Sequence, residues 1–184
     1  MAISDQDAMV DTIMSDMDVM HWLPYSDAVS TPEGQREIAS GYITDFIKPW
    51  DEIGFGVWAV CIRDIEPATV GDFIGYCGFI PQQIEGAGPE LAYAMGKSMW
   101  GKGLATEAVM ASLDWIFIKP EISRVYAVTD KENRASRRVM EKVGMTHDKD
   151  VDLYHSVADG EGLLPFYAIE REAYLRKRKT EVER

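Results

Sequence analysis

Residues 98–108 read Ser98-Met99-Trp100-Gly101-Lys102-Gly103-Leu104-Ala105-Thr106-Glu107-Ala108, leaving a strand-like run and opening a helical one. Small residues at 101, 103 and 105 let main-chain amides approach a ligand closely. The free N–H groups of a helix's first turn, with the positive end of its dipole, then face that ligand. This is the physics of a phosphate cradle. Lys102 adds a mobile positive charge at the rim. Two other phosphate motifs are excluded. Gly96-Lys97-Ser98 mimics the end of a P-loop, but Leu91 stands where that motif needs a glycine. A dinucleotide fingerprint needs a glycine where Thr106 stands, and a parallel strand on either side.

The elements that must position this turn follow from periodicity. Val10, Ile13, Met14, Met17 and Met20 recur at helical spacing with aspartates between them, predicting one amphipathic helix that ends at Leu23-Pro24. The methionine stripe reads as core. Thr31-Pro32-Glu33 supplies a capping hydroxyl, a first-turn proline and a first-turn acid for a second helix, which should stop before Pro49. Phe55 to Ile62 and Phe73 to Ile80 read as an antiparallel hairpin around a turn from Asp64 to Asp72. Leu91 to Met95 is a third strand, Gly101 to Phe117 a helix, and Arg124 to Thr129 a fourth strand. Arg134 to Val143 is a short helix closed by Gly144. Strands around Val151 to Val157 and Phe166 to Ile169 and a charged Glu170 to Lys179 helix complete the chain. The order implies a mixed sheet with helices packed on it, in one domain spanning residues 1–184.

Composition narrows the function classes. The 184 residues carry a formal net charge of −12. Residues 1–66 hold 13 acidic and 3 basic side chains, against 18 and 16 in residues 67–184. Such a front half repels nucleic-acid phosphates and would steer a cationic substrate, although a plain acidic surface explains it too. No apolar run is long enough to span a bilayer, and no signal segment opens the chain. Cys61 and Cys77 sit in apolar runs and read as two buried, unpaired thiols in a reducing, cytoplasmic setting. The core needs no metal or disulfide to hold it.

Several segments in order carry a resemblance. These are Glu90-Leu91-Ala92-Tyr93-Ala94-Met95, then residues 100–108, then Asn133-Arg134-Ala135-Ser136 and Glu141-Lys142-Val143-Gly144-Met145. Together they resemble the GNAT acetyltransferase superfamily, and more narrowly its RimJ and RimL branch, over roughly residues 8–176. The resemblance implies an α/β fold with a mixed, mostly antiparallel twisted sheet flanked by helices. Acetyl-coenzyme A would lie in a V-shaped split between two central strands, with no metal. Its pyrophosphate would rest on the amides of Gly101, Lys102, Gly103, Leu104, Ala105 and Thr106. Its pantetheine arm would pair with the backbone near Ala94 and Met95. Asn133 would bond the arm, although its chemistry suits a helix N-cap equally. Ser136 would lie near the thioester sulfur, and Lys131, Arg137 and Arg138 would face either the 3′-phosphate or solvent. The Met95 N–H would stabilise the carbonyl oxygen as it gains charge. Glu90 is the best carboxylate to take the amine's proton, directly or through water, although an exposed strand-end acid fits it as well.

Three departures accompany the likeness. Ser98 stands where the superfamily often has Arg or Gln. Met140 stands where many members place a tyrosine acid, leaving Ser136, water or another group to protonate the thiolate. The family's first edge strand is missing, or lies upstream of Met1. The expected activity is transfer of an acetyl group to a primary amine, on a protein N-terminus or a small molecule. The alternative is a non-catalytic acyl-coenzyme A-binding module. Without the family's first strand, Phe55 to Ile62 would leave an open sheet edge, which either residues before Ser4 or a partner subunit in a homodimer is expected to cover.

Overall fold

The structure, a computed structural model, describes residues 1–24, 30–63, 71–153 and 163–182. Six strands form one sheet: β1 (Val57–Cys61), β2 (Phe73–Ile80), β3 (Glu90–Met95), β4 (Arg124–Val128), β5 (Thr146–Val151) and β6 (Leu164–Glu170). Their order is β1-β2-β3-β4-β6-β5. Every neighbouring pair is antiparallel except β3 and β4, which run parallel. That parallel step passes through α4 (Leu104–Ile116), and the return to the sheet edge passes through α5 (Arg134–Val143).

Strand alternation sends successive side chains to opposite faces. On one face Cys77, Phe79 and Leu91 pack against Val109, Leu113 and Ile116 of α4 and Met140 and Val143 of α5. Each such fully buried aliphatic side chain is worth about 1.5–3 kcal/mol. On the other face Val57, Tyr76 and Ala94 meet Met9, Ile13 and Met14 of the chain's front and Phe46 of α3 (Pro32–Ile53). The last helix, α6 (Arg171–Val182), docks through Arg178, whose guanidinium holds both Asp114 oxygens at 2.9 and 2.6 Å.

The front of the chain departs from a single helix. A 3-10 turn leads into α1 (Gln6–Met9), then a π-helical stretch Val10–Met14, then α2 (Met17–Met20). Asp16 makes the break: its backbone is extended and its carboxylate accepts the Asp18 N–H at 3.0 Å, starting a new helix. The shifted phase keeps Met14 and Met20 in the core and turns Met17 outward. The second helix begins where expected, with Thr31 accepting the Gly34 N–H, but continues through Pro49 to Ile53. Pro49 is buried, and Trp50 in the next position packs edge-on against Trp58 and Trp115. Tertiary packing thus offsets the hydrogen bond that proline removes, and Gly54 at φ 73° ends the helix.

Strand β5 forms earlier than expected, directly after the left-handed Gly144 cap. Residues Thr146 to Asp150 are all exposed, so no apolar alternation announces this edge strand. Residues 154–157 of the expected strand, and 64–70 of the expected turn, lie outside the described residues. The hairpin of β1 and β2 is present, with a register shift between Val60 and Cys61. At that end Cys61 is exposed, whereas Cys77 is buried with its sulfur 3.3 Å from the Ser112 hydroxyl. Among the described residues no strand precedes β1, which stands at the sheet edge.

Candidate active site

The turn between β3 and α4 has an open, amide-rich surface. Gly101 and Gly103 adopt φ of 75° and 83°, which side-chain-bearing residues rarely do. A Cβ built on either would meet nothing within 4 Å, so both face free space. The first helical bond runs from the Glu107 N–H to the Gly103 carbonyl. The amides from Gly101 to Thr106 therefore have no main-chain acceptor among the described residues, and they crown the positive end of a 13-residue helix. Leu104, Ala105 and Thr106 are half-buried, and Lys102 is exposed at the rim. Clefts of about 550 Å³ and 520 Å³ flank the turn, one along Gly103, Thr106 and Met110, the other along Thr12, Gly96 and Ser98.

Behind the cradle the sheet opens. Strands β3 and β4 share one register pair, Glu90 with Tyr126, and diverge beyond it. The Gly96 N–H donates to Ile74, which fixes the ladder phase between β2 and β3. Alternation then turns the main-chain groups of Ala94 toward β2, and those of Tyr93 and Met95 toward the gap. The Met95 carbonyl accepts the Trp100 indole N–H at 2.8 Å, while its N–H has no acceptor among the described residues. Ala94 thus keeps its amide on β2, and its small side chain is buried in the core beside the front of the chain.

The two sides of the gap carry different chemistry. On the α4 side the Tyr93 hydroxyl lies 2.8 Å from the Ser136 hydroxyl and donates to the Ser136 carbonyl at 3.1 Å. Burial pushes the Tyr93 hydroxyl well above the ordinary tyrosine range. Asn133 caps α5, its Oδ1 accepting the Ser136 N–H at 3.0 Å. Arg137 turns inward, donating to the Tyr167 hydroxyl at 3.1 Å and the Lys131 carbonyl at 3.2 Å. Arg138 is exposed, and Met140 is fully buried, leaving no hydroxyl there. On the opposite side Glu90 is buried rather than an exposed strand-end acid, and the Tyr126 hydroxyl donates to its Oε2 at 2.9 Å.

Comparison with known proteins accords with this fold. A family model described as an acetyltransferase (GNAT) domain matches residues 1–146. The chain belongs to this family. Among curated relatives, the uncharacterized protein YkkB of Bacillus subtilis is 29% identical over 171 residues, covering 92% of this chain and 88% of that protein. A solved GNAT acetyltransferase from Bacillus anthracis matches 93% of this chain and 92% of its own, at 25% identity and a TM-score of 0.69. RimJ of Mycobacterium smegmatis, solved in complex with a coenzyme A disulfide, shares the fold at a TM-score of 0.71 and 20% identity, over 98% and 87% of the two chains. GNAT membership makes acetyl transfer from acetyl-coenzyme A this chain's class of chemistry. No helix among the described residues is long and apolar enough to cross a membrane.

Within this GNAT fold three features escape sequence reading. The Trp100 indole closes on Met95 across the start of the cradle; a tryptophan before the first motif glycine is its visible sign. Tyr93 contributes a main-chain edge besides its side chain. Tyr126 reaches Glu90 across 36 residues, a pairing that depends on the parallel register set by α4.

Proposed function

We propose that the chain transfers the acetyl group of acetyl-coenzyme A to a primary amine by direct attack, in a cytoplasmic setting. The observation that carries this reading is the one-pair ladder between β3 and β4, which turns the main chain of Tyr93 and Met95 toward a gap beside the amide-rich turn and has the buried Glu90 at its closed end. The empty space over Gly101 and Gly103 suits a pyrophosphate, and the N–H groups of Leu104, Ala105 and Thr106 would hold it. The Met95 N–H, on an edge that Trp100 fixes, would bond the extended arm.

Distances along β3 divide the remaining work. Met95 lies about 16 Å from Glu90 at ~3.3 Å per residue. One carbonyl beside Met95 cannot also be near Glu90. The Tyr93 N–H faces the gap deeper in it, and it would carry the oxyanion role that the sequence assigns to Met95. The amine enters from the Glu90 face, and Glu90 takes its proton through water. As the C–N bond forms, the C–S bond breaks, and the Ser136 hydroxyl, braced by Tyr93, donates a proton to the thiolate. Ser136 then recovers a proton from solvent. Bound acetyl-coenzyme A supplies the activated acyl group.

Asp11, Asp16 and Asp72 outnumber Lys97 in lining the cleft beside Gly96 and Ser98, and a net acidic lining favours a cationic amine. A screen of thiol release from acetyl-coenzyme A tests the function. The panel would hold peptides with free N-termini, polyamines and aminoglycosides, with product mass and site read by mass spectrometry. Acetylation on nitrogen is the expected result. Coenzyme A binding without thiol release for any amine would overturn the proposal in favour of a binding module.

A further inference from the structure

Glu90 is 5% exposed, an unusual setting for a carboxylate. The Tyr126 hydroxyl donates to its Oε2 at 2.9 Å and accepts the Gln83 N–H at 2.9 Å. The hydroxyl has one proton to give, and the Gln83 amide on its oxygen leaves that proton aimed at the carboxylate. The ring cannot swing away: it has no exposed surface and stacks on Phe166 with centroids 4.9 Å apart and planes at 11°. Burial, and next the Glu90 charge, hold the hydroxyl well above the ordinary tyrosine range, so it remains a donor at any working pH.

The register partners of the pair among the described residues are apolar. Ile80 is the register partner of Glu90 in β2, and Ala168 that of Tyr126 in β6. Two cations lie over the Phe166 ring, Arg124 at 5.8 Å and Lys149 at 5.3 Å. Arg124 is already committed to Asp148 at 2.7 Å. The pair also sits where β3 and β4 last touch, so the same two residues end the ladder and begin the gap.

We propose that Tyr126 is a positioning residue, fixing and orienting the Glu90 carboxylate as proton acceptor at the apex of the split. This rests on the reading of Glu90 as the base. A hydrogen bond to the ionised form favours it, so losing the donor must move the carboxylate's titration to higher pH. The titration of Glu90 can be read directly, with no acceptor, from the carboxyl carbon resonances of ¹³C-glutamate-labelled full-length protein. The Glu90 signal is assigned by its loss in Glu90→Gln.

Tyr126→Phe should raise the Glu90 midpoint by about one pH unit. Site-specific 3,5-difluorotyrosine at position 126 keeps the shape, strengthens the donor, and should lower the midpoint. It also serves if Tyr126→Phe fails to fold. A midpoint unmoved by either change overturns the positioning role. The base reading fails separately, if Glu90→Gln retains turnover on the acceptor that the thiol-release screen returns. With that acceptor, adding Tyr126→Phe to Glu90→Gln should cost no further rate, because both changes act on one proton transfer. An additional loss would mark Tyr126 as structural.

Discussion

The Trp100 indole N–H donates to the Met95 carbonyl at 2.8 Å, tying the last residue of β3 to the turn that follows it. The two are five residues apart, so the bond pins the cradle to the free edge of the strand. Trp100→Phe keeps the ring and removes the donor. Such a bond contributes about 0.5–1.5 kcal/mol net. Coenzyme A should therefore bind roughly 2- to 12-fold more weakly in calorimetry, with kcat little changed. Unaltered affinity would show that the edge is held by other means.

Gly103 has φ of 83° and open space around the position of a Cβ. The Cβ of Gly103→Val meets no protein atom there, so the expected cost is backbone strain plus a branched side chain where the pyrophosphate would rest. Coenzyme A affinity should drop at least about tenfold, or 1.4 kcal/mol. A variant that melts near the wild-type temperature but binds weakly would place the effect at the ligand. Wild-type affinity would mean that the phosphates lie elsewhere.

Glu90→Gln preserves volume and the acceptor oxygen for Tyr126 while removing the base. General-base catalysis contributes about 10²–10⁴-fold. Turnover should decrease by that factor, with coenzyme A affinity unchanged. An effect smaller than threefold would return Glu90 to a purely structural part in closing the β3 and β4 ladder.

The cysteines give a test that requires no ligand. Cys61 is exposed at the bulged end of β1. Burial pushes the Cys77 thiol up to about 12, and Ser112 covers it. Reactivity follows the thiolate, so native protein at pH 8 should label quickly at one thiol and in denaturant at two. Peptide mapping should place the fast site at Cys61. Rapid native labelling of Cys77 would show that the core between β2 and α4 opens readily.

Local chemistry made some elements legible and tertiary context hid others. Helix α5 follows its sequence signals to the residue, because Asn133 caps one end and Gly144 takes the left-handed turn at the other. Both signals are local. Pro49 misleads for the opposite reason: its helix survives through contacts among Trp50, Trp58 and Trp115, which come from three separate elements. Strand β5 is silent because an exposed edge needs no apolar alternation. The glycine turn and helix start between β3 and α4 were readable because they are contiguous in sequence. The Tyr126 to Glu90 bond was not, since the register that creates it is set by a helix lying between them in sequence.

Strand β1 carries the last prediction. It is hydrogen-bonded to β2 on one side and ends the sheet on the other. Asp5 and the N-terminal amine approach its Cys61 end closely enough to act on that thiol's charge. At its other end Trp58 packs with Trp50 and Trp115 at centroid distances of 4.9 and 4.8 Å. Nearby, Ile53 is 46% and Ile118 75% exposed, and Gly54 lies beside Lys119. A sheet edge that no strand among the described residues pairs with, next to exposed aliphatic side chains, favours association with a second copy. Light scattering at micromolar concentration should report a homodimer, with the Val57 to Cys61 amides protected from hydrogen exchange. Glu replacing Ile118 should shift the population toward monomer while leaving coenzyme A binding intact, since the cradle lies at the opposite end of α4. A monomer with slowly exchanging β1 amides would mean that the chain covers its own edge; one with amides exchanging as fast as a loop would refute both the dimer and the covered edge.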